Sequence, residues 1–229
     1  MKLEIFDDDN SVAEAGAAAI ATDARSAIAA RGRFTFAVSG GRTPWIMLRA
    51  LANEDLPWAS VHIYQVDERV APEGHPDRNL THLRESFVQH VPIPAANVHA
   101  MPVELADLDA AARQYALTLQ QFTGAPPVLD LVHLGMGPDG HTASLVPGDP
   151  VLNITDADVG VTGVYQGRRR MTLTYPALDR ARRVLWLVTG SEKVEKLGRL
   201  LSGDHSIPAG RVRSDQALVL ADRAAAKDR

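Results

Sequence analysis

Residues 129–148 read LDLVHLGMGPDGHTASLVPG, and the predicted fold is organised around them. Residues 129–134 form a short apolar run with turn-forming residues on both sides, which is typical of a buried strand. Three glycines and a proline then prevent regular structure for several residues. That loop carries Asp139 and His141. Ligands bind at the carboxyl ends of strands in open α/β sheets, so the loop is a candidate site, with a polar turn of no function as the alternative.

The composition of the 229-residue chain is that of an ordinary globular protein, and we expect a single domain over residues 1–229. A net charge of −4 without a basic tract argues against nucleic acid or an anionic membrane as a partner. The absence of cysteine excludes disulfides, thiol nucleophiles and cysteine zinc sites. The acidic start MKLEIFDDDN is unlike a secretory signal, and no apolar run is long enough to span a membrane, so we expect a cytoplasmic protein.

Apolar runs alternate with helical patterns along the chain, which predicts a mainly parallel sheet with helices on both faces. The predicted strands cover residues 2–6, 34–38, 61–66, 97–101, 129–134, 159–165, 171–175, 183–188 and 217–221. A capping box at Ser11 and Glu14 predicts the first helix. Further helices are predicted from Pro44, Leu80, about Leu105 and after Ser191, with a short one over residues 141–146.

A second loop, SGGRT at residues 39–43, lies between a predicted strand and a helix. Its two glycines let backbone N–H groups converge on an anion at the helix N-terminus, where the dipole also favours negative charge. The loop lacks the Walker ending and the dinucleotide fingerprint, and its shortness favours a single phosphate. A plain tight turn is the alternative. The candidate phosphate-binding residues here are Ser39, Gly40, Gly41, Arg42 and Thr43.

Other charged residues follow predicted strands in the same way. Asp67 and Arg69 come directly after residues 61–66, and Lys193 lies in a first helical turn, where a cation is unfavourable unless an anion is near. Right-handed crossovers bring successive strand ends to one sheet edge. With His141 among them, the gathered residues suit proton transfer on a small phosphorylated molecule, because histidine titrates near neutrality.

Three motifs in this order, FAVSGGRTP, VDERVAPEGHPDRN and LVHLGMGPDGHTASLVPG, resemble the 6-phosphogluconolactonase family. That family shares a superfamily with glucosamine-6-phosphate deaminase/isomerase, and the resemblance covers nearly the whole chain. It implies a three-layer α/β/α Rossmann-like fold and hydrolysis of 6-phospho-D-glucono-1,5-lactone to 6-phosphogluconate in the oxidative pentose phosphate pathway. It implies a small sugar-phosphate lactone as partner and no metal or organic cofactor. A monomer and a small homo-oligomer both remain open.

The resemblance also implies roles for single residues. His141 matches the catalytic histidine, which takes a proton from the attacking water. Arg69 would face the charge that develops on the carbonyl oxygen, Asp139 would orient His141 or a sugar hydroxyl, and Asp67 would shape the same site. Asn79 would contact substrate or hold its loop. The residues that match phosphate-holding positions are those of the 39–43 loop, Arg170 and Lys193. The adjacent Arg168 and Arg169 are the alternatives to Arg170 for this match.

Three other functions remain open at this point. The isomerase/deaminase branch resembles the chain at Asp67 and His141, but it carries a glutamate where this sequence has Val146 before Pro147. A sugar-phosphate-binding regulator without catalysis is a second possibility. A metal hydrolase using the carboxylates and His141 is a third, and activity that survives a strong chelator would eliminate it.

Overall fold

The computed structural model describes residues 1–227 and contains two sheets with helices packed on both faces of the larger one. The strands are β1 (Lys2–Phe6), β2 (Phe34–Val38), β3 (Val61–Gln65), β4 (Asp67–Arg69), β5 (Val98–His99), β6 (Leu131–Leu134), β7 (Val159–Val161), β8 (Arg170–Leu173), β9 (Val184–Val188) and β10 (Ala217–Asp222). The α-helices are α1 (Asp9–Arg31), α2 (Arg42–Leu51), α3 (Asn79–Ser86), α4 (Leu108–Thr123), α5 (Tyr175–Asp179) and α6 (Val194–Leu201). Short 3-10 helices cover Trp58–Ser60, Val88–His90, Ala95–Asn97, Pro150–Asn153, Ser191–Lys193 and Ala209–Arg211.

The larger sheet is parallel throughout and has the strand order β1-β10-β9-β6-β2-β3-β5. Both of its faces are covered, so its central strands are apolar at nearly every position. Successive residues of β2 show the layering: Phe36 packs into a core with α1 and α2, whereas Ala37 packs into a second core with α4. The predicted α/β fold with a mainly parallel sheet is confirmed.

The sheet has a topological switch point beside β2. The chain passes from β2 to β3 on one side, while β6 lies on the other side of β2. Loops that leave the carboxyl ends of strands at such a point separate and open a crevice. The two loops singled out in the sequence, after β2 and after β6, lie there.

The smaller sheet is antiparallel, in the order β4-β8-β7. Its register places Asp67 opposite Thr172 and Arg69 opposite Arg170. The sequence predicted β8 approximately but gave no strand over Asp67–Arg69, because a polar segment of three residues forms a strand only when a distant partner supplies its hydrogen bonds.

Some predicted boundaries were wrong. Helix α1 is capped by the Asp8 side chain, which accepts the Ser11 N–H at 2.8 Å, and Ser11 is therefore inside the helix. Residues 141–146 form turns, since Ala143 has a φ of 50° and Thr142 bonds back to the Gly135 carbonyl. Tyr165 lies in a turn beyond the end of β7. Within residues 1–227, no helix combines the length and apolar character needed to cross a membrane.

Candidate active site

An open cavity of about 710 Å³ lies at the carboxyl edge of the parallel sheet. Its walls come from the segments after β1, β2, β6, β9 and β10, and from β4 and β8. The predicted site residues that line it are Ser39, Gly40, Gly41, Arg42, Thr43, Asp67, Arg69, Asn79, His141, Arg170 and Lys193. Asp139 lies behind the wall, against His141. One cavity thus collects groups from distant parts of the sequence.

His141 is fixed by Asp139 two residues earlier. Its ring Nδ1 lies 2.6 Å from Asp139 Oδ1, and its backbone N–H donates to the same oxygen at 3.1 Å. A carboxylate partner assigns the proton to Nδ1 and leaves Nε2 as the basic nitrogen. The loop needs glycine at 137, because a Cβ built there would overlap the imidazole. The two-residue spacing between Asp139 and His141 thus fixes the orientation of the imidazole at the cavity wall.

Asp139 is held in its charged form. Burial favours the neutral acid, but the His141 backbone N–H, the charge and side chain of His141, and the Tyr165 hydroxyl together keep the pKa of Asp139 below its usual range. The Tyr165 O–H donates to Oδ2 at 3.1 Å, so both carboxylate oxygens are used. The carboxylate can therefore stabilise an imidazolium ion when His141 accepts a proton.

Asp67 and Asn79 order the part of the cavity wall formed by β4 and the start of α3. The Ser144 hydroxyl donates to Asp67 Oδ2 at 2.6 Å, and Asn79 Nδ2 donates to the Asp67 backbone carbonyl at 3.0 Å. Asn79 Oδ1 in turn accepts from Arg69 Nη1 at 3.2 Å, and the Asp77 carbonyl accepts from the same nitrogen at 2.9 Å. Arg69 is thereby anchored through one nitrogen, so the rest of its guanidinium is available to the cavity.

Two arginines lie side by side on neighbouring strands of the smaller sheet. Arg69 and Arg170 are directly opposite in the β4–β8 register. Burial lowers the pKa of Arg170, Asp67 opposes that change, and the Arg69 charge adds to it. Like charges placed opposite one another are unfavourable without a counterion. The arrangement therefore favours an anionic ligand in the cavity.

The structure separates Arg170 from its two neighbours. Arg170 is buried and lines the cavity. Arg168 Nε donates to Asp77 Oδ2 at 3.0 Å, and Arg169 Nε donates to the Thr162 carbonyl at 3.3 Å. Neither Arg168 nor Arg169 lines the cavity. Arg169 directly precedes β8 and Arg170 begins it, so these successive residues point to opposite faces, whereas Arg168 lies in the turn that pairs with Tyr165 and is held by Asp77.

The 39–43 loop packs tightly at the N-terminus of α2. A Cβ built on Gly40 would overlap Asn79 Oδ1, so this position admits only glycine without displacement. Gly41 has a φ of 134°, and its carbonyl accepts the Trp45 N–H, which begins the helix. The Arg42 guanidinium is exposed and forms an ion pair with Asp9. These contacts leave backbone N–H groups and the helix N-terminus at the cavity wall.

Lys193 lies on the neighbouring segment after β9. Thr189 Oγ1 and Thr43 Oγ1 are 2.9 Å apart, which joins this segment to the 39–43 loop. The Gly190 N–H is shared between the two carboxylate oxygens of Asp222, at 3.1 and 3.0 Å. Lys193 Nζ lies 3.6 Å from Glu192, an exposed partner that leaves the ammonium group partly uncompensated.

Glu68 supports the site from beneath. It is fully buried, and its carboxylate accepts the backbone N–H groups of Arg69, Asn79 and Leu80 at 2.7 to 2.8 Å. The last two bonds satisfy the first turn of α3. The Gln65 side chain also donates to Glu68, at 2.8 Å. One carboxylate thus fixes the backbone positions of two site residues, Arg69 and Asn79.

Sequence reasoning missed several residues at this edge. Asp7, Asp8 and Asp9 follow β1, Asp222 ends β10, and all four line the cavity. Their position directly after apolar strands was the available signal. Tyr165 was missed because it was placed within a strand. Among residues 1–227, no group of three or more histidine, aspartate or glutamate side chains is arranged to hold a metal ion.

A model of the family described as glucosamine-6-phosphate isomerases/6-phosphogluconolactonase matches residues 7–220. The chain belongs to the glucosamine-6-phosphate isomerase/6-phosphogluconolactonase family. The 6-phosphogluconolactonase of Mycobacterium tuberculosis is 37% identical over an alignment of 238 positions, gaps included, which covers 98% of this chain and 96% of that protein. The 6-phosphogluconolactonase of Synechocystis sp. is 41% identical over 187 residues, with 80% and 78% coverage.

Solved structures of the family share this fold. The crystal structure of 6-phosphogluconolactonase from Thermotoga maritima has a TM-score of 0.86 at 29% identity and covers 96% of this chain, with 98% of its own length covered. A monomeric glucosamine-6-phosphate deaminase has a TM-score of 0.87 at 20% identity, with full coverage of both chains. The second likeness shows the shared fold alone, so the two branches of the family must be separated by other evidence.

Proposed function

We propose that this protein hydrolyses 6-phospho-D-glucono-1,5-lactone to 6-phosphogluconate, a step of the oxidative pentose phosphate pathway, in the cytoplasm. The observation that carries the proposal is that one cavity holds an oriented histidine, His141, together with Arg69, Arg170 and the glycine loop after β2. Such a site suits an anionic sugar derivative with a carbonyl carbon at one end. The sequence relatives support the same reaction, because those compared above are 6-phosphogluconolactonases.

In the proposed mechanism His141 acts as general base. Water attacks C1 of the lactone while Nε2 takes one of its protons, which gives a tetrahedral intermediate with a negative oxygen. Arg69 faces that oxygen, and such stabilisation is typically worth about 3 kcal/mol. The C1–ring oxygen bond then breaks, and His141 returns the proton to the departing ring oxygen. The carboxylic acid formed at C1 ionises at neutral pH.

Asp139 stabilises the imidazolium ion between these two proton transfers, and Asp67 shapes the wall beside it. The residues proposed to hold the 6-phosphate are the backbone and hydroxyl groups of the 39–43 loop, Arg170 and Lys193, with Asn79 positioning Arg69. Binding energy at the phosphate positions C1 near His141, which raises turnover as well as affinity.

The deaminase branch is less well supported. The expected glutamate position is taken by Val146, which is buried and does not line the cavity. An enolisation reaction would therefore lack one acid/base group near the substrate. Ammonia release from glucosamine 6-phosphate at a rate above lactone hydrolysis would reverse the assignment.

The decisive experiment measures acid release from fresh lactone above its spontaneous hydrolysis. We expect wild-type turnover and a loss of at least about 100-fold in His141→Ala, the usual scale for a general base. His205→Ala is the matched control, since it removes an exposed histidine outside the cavity wall. Near-normal turnover by a folded His141→Ala protein would remove His141 from the mechanism. Tight 6-phosphogluconate binding without any wild-type turnover would favour a regulator.

A further inference from the structure

Tyr165 lies outside the cavity lining and contacts three residues of the candidate site. Its hydroxyl donates to Asp139 Oδ2 at 3.1 Å, and its ring meets the His141 ring edge-on, with centroids 5.5 Å apart. On the other side, the Arg170 guanidinium carbon lies 5.0 Å from the centre of the same ring. One side chain therefore contacts both members of the histidine pair and the buried arginine.

The local backbone holds Tyr165 in this place. Tyr165 and Arg168 exchange backbone hydrogen bonds of 2.9 and 3.2 Å around Gln166 and Gly167. Both central residues have positive φ, 51° and 78°, as in the tight two-residue turns of β-hairpins. Positive φ is unusual for glutamine and is retained where surrounding contacts favour it. The turn is also tied to the loop before α3 by the Arg168–Asp77 ion pair.

Gln166 adds a second connection to Arg170. Its Oε1 accepts from Arg170 Nη2 at 3.0 Å, and its Nε2 lies 3.4 Å from the Tyr165 hydroxyl. Arg170 Nε is buried and has no hydrogen-bond partner within the described part of the chain. The turn thus contacts the arginine through the face of the Tyr165 ring and the Gln166 amide, while the Nε–H stays unpaired within the described part of the chain.

We propose that Tyr165 is a positioning residue, which holds the Asp139–His141 pair and the Arg170 guanidinium in one fixed relation. This inference rests on the proposed function. Neither contact requires Tyr165 to touch substrate, and Tyr165 does not line the cavity. Its phenol stays protonated at neutral pH, because burial and the Asp139 charge raise the pKa of Tyr165. It is therefore a constant donor to the carboxylate.

The expected direction of the pH effect follows from that donation. The phenol stabilises the Asp139 carboxylate, and without it the carboxylate accepts more strongly from the protonated His141 ring. Protonated His141 then persists to higher pH, so the acid limb of kcat/KM moves to higher pH. The other charged groups of the cavity remain in place: Asp67, Arg69 and Arg170 on β4 and β8, Lys193 after β9, and the acidic residues that follow β1 and end β10.

The test compares Tyr165→Phe, Tyr165→Leu and the neighbouring control Val164→Ala, whose side chain is 74% exposed. In Tyr165→Phe we expect kcat to fall about tenfold, KM to stay within about twofold, and the acid limb to move up by about half a pH unit. In Tyr165→Leu we expect KM to rise as well, by about fivefold, because Arg170 loses the ring. Val164→Ala should match the wild type.

Two outcomes would overturn the inference. One is a Tyr165→Phe enzyme with the kcat and acid limb of Val164→Ala. The other is a loss of activity that follows only the fraction of folded protein, with an unmoved pH profile. If the wild type shows no turnover at all, the proposed function is wrong, and NMR titration of the His141 ring protons decides the inference separately: the curve should move to higher pH in Tyr165→Phe and not in Val164→Ala.

Discussion

Glu68 and Arg78 form an ion pair that is closed to solvent beneath the site: Arg78 Nε lies 3.1 Å from Glu68 Oε2, and the two side chains are 1% and 0% exposed. The same arginine pairs with Glu104, which is 45% exposed. Arg78 thus has one buried and one accessible carboxylate partner. The pair joins the residue that follows Asp67 to the residue that precedes α3.

Glu68→Gln leaves Arg78 without its buried countercharge, and the amide replaces an acceptor oxygen with a donor. We expect the free energy of unfolding to fall by about 3 kcal/mol or more, because an uncompensated buried charge is costly. Glu104→Gln is the matched control and should cost less, about 1 kcal/mol, because Glu104 is 45% exposed and water screens its charge. Urea unfolding measures both. Equal losses in the two variants would contradict the role assigned to Glu68.

Gly40→Ala places a methyl group on Asn79 and should displace the amide that anchors Arg69. We expect kcat/KM for the lactone to fall by about 10- to 100-fold, a range typical when a site group is misplaced by about an ångström. Gly203→Ala is the control, since its φ of 65° disfavours alanine but a Cβ there meets nothing within 4 Å. That variant should lose about 1 kcal/mol of stability and keep its activity. Steady-state kinetics distinguish the two.

Arg170→Gln and Arg168→Gln remove the same charge from neighbouring positions. We expect KM for the lactone to rise about 10- to 100-fold in Arg170→Gln, the value of a charge-assisted hydrogen bond, because that guanidinium lines the cavity. Arg168→Gln removes contacts with Asp77 and His75, both outside the cavity, and should change KM by less than about threefold. A larger effect at Arg168 would show that the wrong arginine has been assigned.

Three buried histidines, His62, His99 and His133, should make stability fall in acid, because burial lowers the pKa of each. Burial, with His62 beside it, lowers the pKa of His99 to about 4, and burial lowers the pKa of His133 to about 3. The unfolded chain, in which histidine titrates near 6.5, therefore binds more protons than the folded chain as the pH falls below about 6.5. The contribution of these neutral buried histidines to the free energy of unfolding is fully present above about pH 6.5. It is lost progressively as the pH falls toward about 4.

We expect the free energy of unfolding at pH 5 to be about 2 kcal/mol below that at pH 7, after allowance for partial screening. Urea titrations at the two pH values measure it. His99→Gln should reduce the difference, whereas His205→Gln, at an exposed position, should leave it unchanged. An unchanged difference in His99→Gln would show that His99 does not contribute to the loss of stability in acid.

The sequence was most informative where local chemistry decides structure. Gly135, Gly137 and Gly140 follow β6 and disfavour regular structure there, and parallel topology then brings their loop to the edge shared with Arg69. It was least informative where distant groups decide. Ala143 leaves helical conformation because its neighbours bond elsewhere, Thr142 to Gly135 and Ser144 to Asp67.

The same distinction applies to the candidate site. Residue types and strand-end positions identified the groups around the cavity, but not the contacts that support them. Glu68 directly follows Asp67 in the sequence. Its bonds to the Asn79 and Leu80 N–H groups could not be predicted, because they depend on how the intervening loop folds back onto the carboxylate. Tyr165 lies 26 positions from its partner Asp139, and no local pattern relates the two.

The strand order has a consequence for biosynthesis. β10 is the last strand of the larger sheet to leave the ribosome, and it lies between β1 and β9. β1 therefore has no neighbouring strand in the sheet until β10 has been translated. The Gly190 N–H likewise has no carboxylate acceptor until Asp222 has been translated. The part of the cavity wall that follows β1 and ends β10 is therefore completed last, after residue 222 has emerged from the ribosome.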